Sequence, residues 1–141
     1  MYVNDNPPNT VDGHLGSPKL LSAFSHDLTT FVMDAGVRVG TGATLSGAAQ
    51  SAGSVLNADG STTIVYFRND GGSTWQSTSA DGLTFATEFK TGFGIADRFQ
   101  IPAIDVYLLP LPNGTVRMYF NYGGNISGTI YTAHHPAFVS K

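Results

Sequence analysis

The 141-residue chain contains no cysteine, which excludes disulfides, thiol chemistry and cysteine-based zinc sites. Charge is scarce. Seven Lys and Arg stand against ten Asp and Glu, giving a net charge of −3, and no basic run occurs, so the electrostatic footprint of a nucleic-acid or anionic-membrane binder is missing. No stretch approaches the roughly 18 apolar residues of a membrane helix, and the first twenty residues lack the apolar segment of a secretory signal. The expectation is a soluble protein with no signal peptide in the sequence as given, no nucleic-acid or membrane partner, no cofactor, and a compartment left open. The glycine-rich run GTGATLSGAAQSAG lacks the strand and helix context that a phosphate-binding loop requires.

What the chain does have is a repeat. Sliding the sequence by 54 positions lays Ser25 on Ser79, Asp27 on Asp81, Thr30 on Thr84, Phe31 on Phe85, Asp34 on Glu88, Asp59 on Asn113, Gly60 on Gly114, Ile64 on Met118, Val65 on Tyr119 and Tyr66 on Phe120. Turn residues and apolar runs keep step, dividing the chain into repeats 25–78 and 79–132. Residues 1–18, with Pro7, Pro8 and Pro18, read as an irregular arm, and residues 19–141 as one domain. LLSAF and SHDLTTFVM predict two short strands around a polar turn. SVLNADGSTTIVYF and IPAIDVYLLPLPNGTVRMYF predict hairpins with turns at Asp59-Gly60 and Asn113-Gly114. The first strand of the second hairpin is apolar enough to be buried on both faces. The small residues of 40–53 predict a closely packed inner strand, with a helix over 45–52 as the competing reading, opposed by Gly47 and Gly53.

A strand-built repeat of this length is the mark of a β-propeller blade, a four-stranded antiparallel sheet that cannot bury both faces alone. At this period 141 residues make about 2.6 units, against about four to eight in closed propellers. One chain therefore predicts an incomplete ring with unpaired edges and bare sheet faces. Either copies associate, as a homodimer of five blades or a homotrimer of six, or the chain is a piece of a longer protein.

The segments SADGLTF (79–85), an inner strand containing Asp105, and LPNGTVRMYF (111–120) resemble blades of sialidase-like and arabinanase-like glycosidase propellers. Asn113 stands where the turn Asp of those blades would be, and Asp105-Val106 where Asp-Pro would be. In the first repeat Ser51 occupies the position of Asp105, and Thr63 that of Arg117. RNDGGSTW (68–75) resembles the Asp-box of sialidases, with Arg68 in place of Ser. That motif stabilises a rim turn and carries no chemistry. The two matches lie one hairpin apart, and the recurrence of SADGLTF at Ser25 to Phe31 favours that segment as the turn marker.

A glycosidase needs two carboxyl groups across a sugar. Asp105 is the leading candidate, because a carboxylate inside an apolar strand must be paired or open to water. Asp97 is the second. Arg98, Gln100, Tyr107 and Arg117 are the expected ligand-binding residues, since a guanidinium fork grips carboxylates and aromatic faces stack on sugars. Asp97 and Arg98 have no counterpart in the first repeat, where Ala43 and Thr44 stand. The three arginines a sialidase uses have no assignable set among Arg38, Arg68, Arg98 and Arg117. His134 and His135 are adjacent on a predicted strand and so point to opposite faces, which argues against one metal. His26 stands two periods before His134. Asp27, Asp59 and Asp81 read as turn residues. Two functions follow: a self-associating propeller module that recognises carbohydrate or acts as a scaffold, or a glycosidase-like hydrolase, whole or as an inactive fragment, built around Asp105.

Overall fold

The computed structural model describes residues 1–5, 18–68, 71–100, 102–122 and 130–136. Over these the chain is all-β. Three small antiparallel sheets form: β1 (Tyr2–Asp5), β2 (Lys19–Phe24) and β3 (Val32–Met33); then β4 (Ala49–Leu56), β5 (Thr62–Arg68), β6 (Ser73–Ser79) and β7 (Glu88–Gly94); then β8 (Ala103–Pro110), β9 (Thr115–Tyr122) and β10 (Ile130–Pro136). Each sheet runs in sequence order, and no sheet closes on itself among the described residues. None of these residues forms a helix long and apolar enough to cross a membrane.

One expectation about local structure changes. The arm at 1–18 is not wholly irregular, because Tyr2 to Asp5 pair with Ser22 to Lys19. The Met1 ammonium donates to the Ala23 carbonyl at 2.8 Å, and the Tyr2 ring meets Phe85 edge-on at 5.9 Å. Tertiary partners thus order a segment whose own composition carries no strand signal. The stretch 45–52 forms no helix, since β4 begins at Ala49.

The repeat survives in atomic detail. β4 and β8 are displaced by the full 54 residues. Gly60 and Gly114 turn with φ of 85° and 77°, and the Asp59 and Asn113 side chains accept from the amides of Ser61 and Thr115 at 2.9 and 3.1 Å. The Asp27 carboxylate accepts from the amides of Thr30 and Thr29 at 2.8 and 2.9 Å, and Asp81 accepts from the Ser79 hydroxyl and the amides of Thr84 and Leu83. A side chain that closes a loop onto two successive amides does locally what a sheet ladder does between strands. The Thr30 amide above all holds the Asp27 carboxyl well below the usual range, and the Ser79 hydroxyl does the same for Asp81.

Depressed folded-state values contribute stability above the unfolded carboxyl pKa, and that contribution is lost as pH falls toward the folded value. The urea midpoint is therefore expected to decline from about pH 5 downward. Replacing Asp27 and Asp81 together by Asn, which keeps an acceptor but does not titrate, should flatten that decline. An unchanged pH slope would mean these turns contribute nothing to acid sensitivity.

The sheets stack face on face. Along β5 alternate side chains serve opposite sides. Ile64 and Tyr66 join Leu20, Val39, Leu45, Ala49 and Phe85 between the first and second sheets, while Val65, with Val55, joins Val106, Leu108, Val116, Met118 and Phe120 between the second and third. β4 and β8 approach closely at Gly53, where a Cβ would stand 2.4 Å from the Val106 carbonyl oxygen. The expectation that β8 is buried on both faces is corrected. Val106 and Leu108 are buried but Tyr107 is 62% exposed and Asp105 is also exposed, because among the described residues nothing covers the third sheet's far face.

Candidate functional site

The unusual chemistry of β8 begins in its backbone. Pairing with β9 slips by one residue between Ile104 and Tyr107, so Asp105 and Val106 together face a single position of β9, Phe120. β4 slips in the same way between Gln50 and Gly53. The first residue of each bulge is left-handed, with φ of 56° at Ser51 and 49° at Asp105. Such residues are uncommon outside glycine, though Asp tolerates the conformation better than most. A bulge interrupts the ladder and re-aims a side chain. Here it turns the Asp105 carboxylate out to solvent, where Oδ2 accepts from Asn121 Nδ2 at 3.2 Å.

Beyond the bulge the far face of the third sheet gathers polar and aromatic groups. Tyr107 lies opposite Tyr119, with ring centroids 6.4 Å apart and tilted by 45°, and Leu109 lies opposite Arg117. Val106, Leu108, Val116 and Met118 point the other way, into the core. Three of the six predicted residues, Asp105, Tyr107 and Arg117, are thus brought together on β8 and β9. The arrangement offers an oriented carboxylate to accept from hydroxyls, two aromatic surfaces for an apolar ring face, and a guanidinium.

The other three predicted residues belong elsewhere. Asp97, Arg98 and Gln100 follow β7 on the second sheet. Asp97 Oδ1 accepts from Lys90 Nζ at 3.0 Å, and the Ser73 hydroxyl, followed by the Lys90 ammonium, holds its carboxyl below the usual range. Its Oδ2 packs over Gly94, where a Cβ would stand only 2.3 Å away. Asp97 is therefore a fastener for the turn after β7. Gln100, with φ of 52°, donates its amide to the Asp97 carbonyl at 3.0 Å and closes that turn. Arg98 lies 5.3 Å over the Phe99 ring and lines a cleft of about 330 Å³ with Lys90, Phe93, Leu108 and Met118, between the second and third sheets. The partner of Asp105 is accordingly Asn121.

Asn121 escapes a reading confined to charged and aromatic residues, although the signal is present. Counting back across the hairpin from Asn113-Gly114 places it, with Tyr119, opposite the strand that carries Asp105. His134 and His135 sit at successive positions of β10, in register with Arg117 and Val116. Part of the RNDGGSTW segment, residues 69 and 70, lies outside the described residues.

No family model and no curated protein matches the chain. A crystal structure of a protein of unknown function from Dyadobacter fermentans is similar to it, with 21% identity, a TM-score of 0.66 and coverage of 97% of this chain. The chain spans 34% of that protein's length, and at this identity the likeness speaks for the fold alone.

Proposed function

We propose that this chain is a set of β-propeller blades of the sialidase-like and arabinanase-like kind, and that it recognises carbohydrate at Asp105. The observation that carries the reading is the pair of equivalent bulges. Both strands share the left-handed backbone, but only β8 puts a carboxylate there, and only β8 flanks it with an amide partner and tyrosines. A group present in one repeat and absent from the other serves something other than the repeat. The face-to-face stacking of sheets through β4 and β8 supports their role as the inner strands of neighbouring blades, next to the ring axis where propellers hold ligands.

Recognition is favoured over hydrolysis because Asp97, the second acid that hydrolysis would draw on, is engaged by Lys90. Hydrolysis would need another carboxyl within about 5–10 Å of Asp105. The test is a broad glycan array with the intact chain, followed by calorimetry on any hit. Asp105→Ala is expected to weaken binding by about tenfold to a hundredfold, the loss of a charged hydrogen bond of about 1.5–3 kcal/mol. Wild-type binding that survives this change would remove Asp105 from the site, and a wild-type chain that binds no glycan would remove the reading. Turnover of aryl glycosides abolished by the same substitution would replace recognition with hydrolysis.

A further inference from the structure

The repeat shows which faces of the stack the described residues leave open. In the second sheet the side of β4 and β5 that receives the third sheet carries Gly53, Val55 and Val65. Shifted by 54 residues, these positions are Tyr107, Leu109 and Tyr119, the uncovered face of the third sheet. At the other end Phe85 is 1% exposed beneath Tyr2, whereas its equivalent Phe31 is 43% exposed, together with Val32 and Met33. Among the described residues no sheet precedes the first and none follows the third.

The registers make the match specific. Tyr2 pairs with Ser22, and Val65 pairs with Gln76, which is Ser22 shifted by 54. Tyr2 and Val65 thus hold the same station. Tyr119, which is Val65 shifted by 54, faces Tyr107 as Val65 faces Gly53, although β10 pairs two residues further along and sets Thr132 opposite Tyr119. Tyr2 shows what a tyrosine there does to the next sheet. Its ring covers Phe85 and its hydroxyl donates to the Gly82 carbonyl at 2.7 Å. The equivalents of Phe85 and Gly82 at the exposed end are Phe31 and Leu28, and Leu28 shares the left-handed backbone of Gly82, with φ of 60° against 69°.

We infer that a second copy of this chain docks its first sheet on the uncovered face of the third, head to tail, with Tyr119 covering Phe31 of the second copy and donating to its Leu28 carbonyl. Three sheets per chain then give a six-sheet ring from two chains. The junction differs from the internal ones in one respect. The first sheet begins at the station of β5, with no described strand at the station of β4, and Tyr107 stands where Gly53 lets β8 come close. A gap therefore remains beside Asp105 and Tyr107, roofed by the second copy. This deepens the recognition reading by making its site an intersubunit cleft.

The experiment is light scattering after size exclusion, over about 1–100 μM, on wild type, Tyr119→Ala, Phe31→Asp and Asp105→Ala, with circular dichroism to confirm folding. Wild type is expected to run as a dimer. Tyr119→Ala and Phe31→Asp should each weaken association at least roughly tenfold, as loss of a central aromatic anchor does. Asp105→Ala should leave the mass unchanged. Mixed together, the two impaired variants retain one intact junction between them and should re-form a dimer, which a symmetric interface joining like ends would not explain. A wild-type monomer throughout the range, or a Phe31→Asp variant as dimeric as wild type, overturns the inference. Glycan binding by such a monomer would leave the recognition reading standing, so the two fail separately.

Discussion

Glu88→Ala is expected to lower the unfolding free energy by about 2–4 kcal/mol, somewhat under the range for removing one partner of a fully buried pair. Glu88 on β7 accepts from the Tyr66 hydroxyl with one carboxylate oxygen and from the Arg68 guanidinium with the other. Tyr66 is fully buried, and the Arg68 and Glu88 side chains are only 18% and 16% exposed, so water shields the pair incompletely. Arg68 also lies 5.1 Å over the Trp75 ring, and its guanidinium fills the space where a Cβ on Gly47 would stand. Truncating the acid removes the carboxylate that a cation and a buried phenol share. Glu88→Gln keeps the volume and one acceptor, and should cost about half as much. Urea denaturation of wild type, both variants and Tyr66→Phe would measure this, and equal losses for Ala and Gln would show that the carboxylate charge, and neither packing nor the retained acceptor, sets the effect. Against a total stability of about 5–15 kcal/mol, the larger loss is a substantial fraction.

Gly53→Ala is expected to cost about 1–3 kcal/mol, as overpacking a tight contact does. Gly53 lies outside the left-handed region, so the penalty is steric and comes from a neighbouring sheet. A methyl group there would meet the Val106 carbonyl oxygen at 2.4 Å, and a backbone atom cannot rotate away as a side chain does. Gly60→Ala is the control. Its added methyl would meet nothing within 4 Å, so its penalty comes only from φ of 85°. If the second and third sheets pack as described, Gly53→Ala also disturbs the bulge next to Val106, and Asp105-dependent binding should weaken with stability. A stable Gly53→Ala variant would mean that β4 and β8 lie farther apart.

How much of this was legible in the sequence depends on the range of the interaction. Turns were readable because their causes are local. Asp81 accepts from Ser79, Leu83 and Thr84, all within three residues, and the Gly60 and Gly114 turns are announced by the residues before them. The period of 54 was readable for the same reason, being carried by those turns and the apolar runs between them. β1 was not, because its order comes from Ala23 and Phe85, far along the chain. Asp105 could be picked out as a carboxylate in an apolar strand, but the bulge that exposes it depends on cross-strand register, which no single strand encodes. Asp97 and Arg98 share a loop with each other but not a surface with Asp105. Only the Lys90 contact and the Phe99 ring reveal that.

The twin bulges bear on how such a site arises. Ser51 holds the same left-handed turn as Asp105 without any carboxylate to present. The backbone distortion is therefore a property of the repeat and does not depend on which side chain it carries. A descendant of such a duplication can gain or lose an acid at that station by changing one residue, with no rearrangement of strands around it. The first repeat is in that sense an empty socket, and Ser51→Asp is the natural place to install a second acid in this scaffold.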